Sequence, residues 1–131
     1  MNNKLDKILA EISAGELVDK ITILEIKKIK ILNKEKLEEI NKELTSLNDT
    51  MNKFIKDKSK VLDLKKLLKD INLKLWEIED GKRLAEKKND FGPKFVELAR
   101  NVYKFNDERA KIKLKINKML GSNIKEVKSH F

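Results

Sequence analysis

The sequence contains no cysteine, which excludes disulfides and thiolate metal sites and agrees with a reducing compartment. It has one proline and four glycines in 131 residues, so few positions are built to turn or break the chain. Aromatic residues make up only 5%, and of 31 basic residues only Arg83, Arg100 and Arg109 are arginine. No run approaches the roughly 18 apolar residues that a membrane span requires. The first dozen residues, MNNKLDKILAEI, are interrupted by Lys4, Asp6, Lys7 and Glu11 and hold no signal-peptide apolar core. These absences lead to the expectation of a soluble, cytoplasmic protein.

What is abundant is lysine, isoleucine, leucine and glutamate, with 40% of residues charged, a composition of long helices. Lysine, isoleucine and asparagine in excess fit an AT-rich genome, so lysine counts mean less here. The three arginines stand out accordingly, because a planar guanidinium makes forked contacts that lysine cannot copy. The length suits a single domain with a real core.

Ser13 followed by Glu16 forms a capping-box pattern, which starts a first helix near Ala14 and carries it to about Leu32. A second helix spaces Leu37, Ile40, Leu44, Leu47, Met51 and Phe54 by threes and fours. A third repeats this with Val61, Leu64, Leu68, Ile71, Leu75 and Ile78. A fourth uses Phe95, Leu98, Val102, Phe105, Ile112, Ile116 and Met119. Such seams, of coiled-coil type, mark packed antiparallel helices. "NDFGP" is the clearest turn, with Pro93 in a first helical turn and Gly92 free to take unusual dihedrals. Gly121 is a natural stop. The expectation is an all-α antiparallel bundle with a long C-terminal hairpin. Its parts are an arm at 1–12, helices at 14–32, 35–56, 60–88 and 93–120, and a tail at 122–131.

The net charge of +9 is unevenly spread. Residues 1–52 sum to −1 and residues 75–110 to zero, while 53–74 and 111–131 carry +5 each. A hairpin turning near residue 90 sets these two basic segments at one end of the molecule. A polyanion site is one reading. The basic segments lack arginine and have Phe131 as their aromatic apart from Phe54, which argues against nucleic acid, since stacking and forked base contacts want for tools.

The neutral stretch near the turn holds the single Trp, the single Tyr and all three arginines. The hairpin register brings Asp80 beside Asn101 and Arg83 beside Leu98. Trp76, Glu79, Asp80, Arg83 and Glu86 then gather near Glu97, Arg100 and Tyr103. Arg109 occupies a seam position between Phe105 and Ile112. A second, small and polar stripe runs through Ala99, Tyr103, Asn106, Ala110, Lys113 and Asn117. These groups form either ion pairs that fix register or a pocket for an anionic small molecule. In the pocket, Arg100 and Arg109 would be forked donors and Trp76 or Tyr103 walls.

Two Glu-x-x-Asp pairs, Glu16/Asp19 and Glu77/Asp80, each set two carboxylates on one helical face. All-α nucleotide pyrophosphohydrolases hold Mg²⁺ with such pairs, so a Mg²⁺-dependent nucleotide or sugar-nucleotide hydrolase is the alternative reading. Acids three apart are routine in so charged a chain, and no metal or cofactor is called for. His130 lacks partners for a triad and reads as a surface residue; Ser13 reads as a cap.

"SAGELVDKITILEIK", "LWEIED" and "FGPKFVELARNVYKFNDERAKIKLKIN" together resemble a family of small bacterial proteins characterised as a domain of unknown function. Its pattern is similar to S-P-G-E-L-x-D-K-x-T-I-L-E-x-K, then L-W-x-I-E-D, then F-G-x-x-F-x-x-L-A-R-x-V-Y-x-x-N-D-x-R-A. The pattern falls on Ser13, Gly15, Glu16, Asp19, Lys20, Thr22, Glu25 and Lys27. In the second half it falls on Trp76, Glu79, Asp80, Arg83, Phe91, Gly92, Arg100, Tyr103, Asn106, Asp107 and Arg109. The sequence departs at Ala14, Lys82 and His130. The resemblance implies association with helical-repeat and sugar-transfer proteins of surface-polysaccharide gene clusters, and no activity.

The functional expectation is therefore a helical module binding a protein or an anionic small molecule, with a homo-oligomer compatible with exposed seams. The first helix, apolar nearly all round, would be surrounded by the others. Its Glu16, Asp19, Lys20 and Glu25 would then meet polar partners such as Arg100 and Arg109.

Overall fold

The computed structural model describes residues 4–128. Four helices follow in order: α1 at Ala14–Lys30, α2 at Lys34–Phe54, α3 at Ser59–Lys87 and α4 at Pro93–Leu120. The fold is all-α, and the described residues contain no strand.

The helix ends have identifiable causes. Ser13 is extended and its hydroxyl accepts the Glu16 backbone N–H at 3.0 Å, which fixes the start of α1. The reciprocal half of the expected capping box is missing, because the Glu16 side chain turns instead to Lys113 and Lys20. Asn33 caps α2 through the Lys36 N–H at 3.0 Å, so α1 stops at Lys30, two residues sooner than its apolar pattern. Pro93 opens α4, and Gly121 closes it at φ 64°, a left-handed conformation that glycine adopts without strain. In the α3–α4 turn it is Asn89, at φ 52°, that takes the left-handed conformation, whereas Gly92 is ordinary extended backbone. Asparagine tolerates that region better than most residues do.

The four helices pack unequally. α1 lies against each of the other three, α3 and α4 form the long hairpin, and α2 packs its backbone on α1 alone. Leu17, Val18, Ile21, Leu24 and Ile26 are all buried, as are Gly15, Asp19 and Thr22, positions that go around the helix. A helix apolar on every side needs neighbours on every side. Val18 and Ile21 are wholly enclosed, each such side chain stabilising by about 2 kcal/mol relative to exposure. The core continues through Ile40, Leu44, Met51, Ile55, Val61, Leu68, Ile71, Ile112 and Ile116.

Two expected seam residues are exposed. Phe54 is exposed because α2 ends there and extended Ile55 turns into the core in its place. Met119 is also exposed, one residue from the C-terminal stop of α4.

The hairpin register agrees with the expected pairing to within about two positions. A Cβ on Gly81 would meet Leu98, and the Lys74 ammonium lies 5.2 Å from the centre of the Phe105 ring. Between residues 79 and 111 no residue is buried. This distal half of the hairpin is a two-helix arm without a third layer, and two helices alone can only half-cover each other's apolar stripes.

Candidate functional site

The candidate residues separate into a locked cluster beneath α1 and an open one on the arm. The locked cluster centres on Asp19, which is fully buried. Its Oδ1 accepts from Arg109 Nε and from Asn72 Nδ2, both at 2.9 Å, and its Oδ2 accepts from Arg109 Nη2 at 2.5 Å. The pair is a bidentate fork, the geometry in which arginine surpasses lysine. Asn72 Nδ2 also donates to Thr22 Oγ1 at 2.9 Å, and the Thr22 hydroxyl donates to the Asp19 carbonyl at 2.7 Å. Side chains of α1, α3 and α4 are thereby fixed at a single point. The Asp19 carboxylate holds the Arg109 guanidinium above its ordinary pKa against the opposing effect of burial, with Glu16 adding to the field.

The other acids of α1 are also paired, though with partners the sequence did not announce. Glu16 meets Lys113 at 2.5 Å and Lys20 at 3.6 Å, while Glu25 meets Lys65 at 3.3 Å and Lys69 at 3.4 Å. The N-terminal half of α1 therefore binds α4 and its C-terminal half binds α3, so the helix crosses the hairpin from one side to the other. Arg100 is not among these partners: it stands exposed on the arm.

The small polar stripe on α4 serves this crossing at its C-terminal end. Asn117 is buried and its Oδ1 accepts the Gly15 N–H at 2.6 Å. Gly15 is required there, because a Cβ would collide with the Lys113 carbonyl and come within 2.9 Å of Asn117 Oδ1. The tail completes the cap of α1. Ser122 Oγ accepts the Ala14 N–H at 3.0 Å, and Glu126 accepts hydrogen bonds from Ser13 Oγ and, at 3.1 Å, from Asn117 Nδ2. Burial works against the charge on Glu126, but these donors and Lys113 outweigh it and hold the carboxyl below its usual range. The described tail thus packs on α1 and α4; His130 lies outside the described residues.

Trp76, Glu79 and Arg109 line one cavity of about 240 Å³ with Asn72, Leu75, Ile23 and Ile26. Glu79 also pairs with Arg83 at 3.0 Å along the helix. Asp80, Tyr103 and Asn106 are exposed, as are Glu86 and Glu97. The expected single cluster of Trp76, Asp80, Arg83, Arg100 and Tyr103 with the α1 acids is therefore divided between two places.

The paired-carboxylate metal site needs Glu16 and Asp19 to face Glu77 and Asp80. Asp19 is committed to Arg109 and Asn72, Glu16 to two lysines, and Glu77 and Asp80 are exposed. Among the described residues no three His, Asp or Glu side chains gather closely enough to hold a metal.

On the arm, Arg100 forms no ion pair among the described residues, in contrast to Arg83 and Arg109. It lies in a groove of about 550 Å³ with Phe91, Val96, Glu97, Asn101 and Lys104. All of its lining comes from α4 and the turn before it, so the groove runs along one helix. The first turn of α4 has no side-chain cap and no acidic residue of its own, and Asp90 just before it accepts the Gly92 N–H at 3.2 Å.

A family model described as "Family of unknown function (DUF6165)" matches residues 8–130. Neither the comparison with curated proteins nor that with solved structures gives a match.

Proposed function

The chain belongs to this family of unknown function, matched over residues 8–130, and we propose that it is a helical binding module whose partner-facing surface is the α4 side of the arm. The observation that carries this reading is the contrast between the arginines. Arg109 has its charge satisfied by the buried carboxylate of Asp19. Arg100 forms no ion pair among the described residues and lies exposed in a groove with Glu97 and Lys104. Phe91 and Val96, both half-exposed, supply apolar contact next to it.

The groove belongs to one helix, whereas small-molecule sites are concave and draw on several elements. A partner protein presenting a carboxylate to Arg100 and an apolar side chain to Phe91 and Val96 fits it better than a small anion does. The sequence blocks resemble proteins associated with sugar-transfer proteins of surface-polysaccharide clusters, so such proteins are the first partners to test. Calorimetric titration of the chain against them should give binding that Arg100→Glu weakens at least tenfold, with an unchanged melting temperature. Binding that survives Arg100→Glu, or no binding across that set, would contradict the proposal.

A further inference from the structure

The opposite end of the hairpin carries a second and chemically different surface. α2 ends at Phe54 and α3 begins at Ser59, and the chain between them is the connection KFIKDKSK, residues 53–60. Buried Ile55 pins this connection to the core, and its neighbour Phe54 points outward, 69% exposed. Lys53, Lys56, Lys58 and Lys60 flank it along the chain, all exposed, and the Lys53 ammonium sits 5.3 Å from the centre of the Phe54 ring. The one acid of this stretch, Asp57, is occupied locally, accepting the Ser59 N–H at 3.2 Å and the Ser59 hydroxyl at 2.5 Å.

The same end receives the close of α4, because the hairpin register sets the first turn of α3 level with the last turn of α4. It brings exposed Lys115 and Lys118 and half-exposed Met119, while α3 adds half-exposed Leu62. This end of the hairpin thus exposes an aromatic, a leucine and a methionine together with six lysines, against the acids Asp57 and Asp63.

We infer that this end docks on an anionic lipid bilayer, with Phe54 entering the interface and the lysines meeting the headgroups. Lysine ammoniums attract a negative surface without any fixed geometry, and exposed apolar groups gain by entering the hydrocarbon boundary beneath it. Nucleic acid is a poorer fit: the end lacks the arginine forks that read bases, and its one ring is already covered by a lysine. Docking combines two modest contributions, a polybasic patch and an apolar insertion, the kind of pairing that stable membrane attachment takes. α3 rises about 43 Å over its 29 residues, so the arm and Arg100 would be held away from the bilayer.

The test is co-sedimentation of the full chain with vesicles of phosphatidylcholine and phosphatidylserine in roughly a 7:3 ratio, beside vesicles of phosphatidylcholine alone. Binding is expected on the mixed vesicles and not on the neutral ones. Combining Lys53→Gln, Lys56→Gln, Lys58→Gln and Lys60→Gln should lower the partition coefficient about a hundredfold or more, roughly fivefold for each lysine. Phe54→Ser should lower it about tenfold with the melting temperature unchanged. Equal binding to neutral vesicles, no binding to either, or indifference to Phe54→Ser would overturn the inference. So would tighter binding to a DNA duplex at the same salt, which would make the end a nucleic-acid surface.

Discussion

The guanidinium of Arg109 grips the carboxylate of Asp19 at both oxygens, through Nε at 2.9 Å and Nη2 at 2.5 Å. The two residues lie 90 positions apart, and their pairing ties the first helix to the last. Asp19 is completely buried, so the carboxylate depends on this fork and on Asn72 for everything water would otherwise supply.

Removing one partner should therefore be far worse than removing both. Asp19→Leu alone leaves a half-buried arginine unpaired, while Arg109→Met alone leaves a buried carboxylate with an amide as its remaining partner. Each should cost about 3 kcal/mol in urea unfolding. The double variant should lose less than either single one, recovering about 3 kcal/mol or more of the summed loss, the coupling expected of a buried pair in direct contact.

Gly15→Ala should destabilise, although alanine is the better helix former by about 1 kcal/mol. The new methyl would meet the Lys113 carbonyl and Asn117 Oδ1, both held on the packed face of α4. A net loss of about 1–3 kcal/mol is expected from thermal unfolding. An unchanged or raised melting temperature would mean that α1 can move away from α4 at little cost.

The tail contact should depend on pH through Glu126. Its carboxyl is held below the usual range when folded, so the stability it adds is present above the unfolded pKa and is lost as pH falls through the folded one. Glu126→Ala should cost about 1 kcal/mol or less at neutral pH, a small figure because water screens this position. Repeated about one unit below the ordinary glutamate pKa, the gap between variant and parent should narrow.

The helices were legible because their signals are local. Ser13, Pro93 and Gly121 each act within one turn, and the three-and-four spacing of the seams needs only the periodicity of the helix. The partners of the α1 charges were not legible in the same way. Glu25 finds Lys65 and Lys69 because α1 crosses the hairpin, and a crossing is set by side-chain packing rather than by spacing. Asn72 did leave a signal, a polar residue in an apolar stripe next to Ile71 and four after Leu68, but which acid it would meet depended on that same crossing. Arg109 could be read as an interior arginine from its seam position. Arg100 could not be told from it by residue type, since the difference lies in α1 reaching one and not the other.

The division of labour between these two arginines is the centre of the account, and urea unfolding of Arg100→Ala and Arg109→Ala side by side tests it most directly. Arg109→Ala should lose about 3 kcal/mol, and Arg100→Ala should stay within about 0.5 kcal/mol of the parent. Equal losses would make Arg100 a structural residue and remove the basis for a binding surface on the arm, and an unaffected Arg109→Ala would contradict the locked cluster beneath α1.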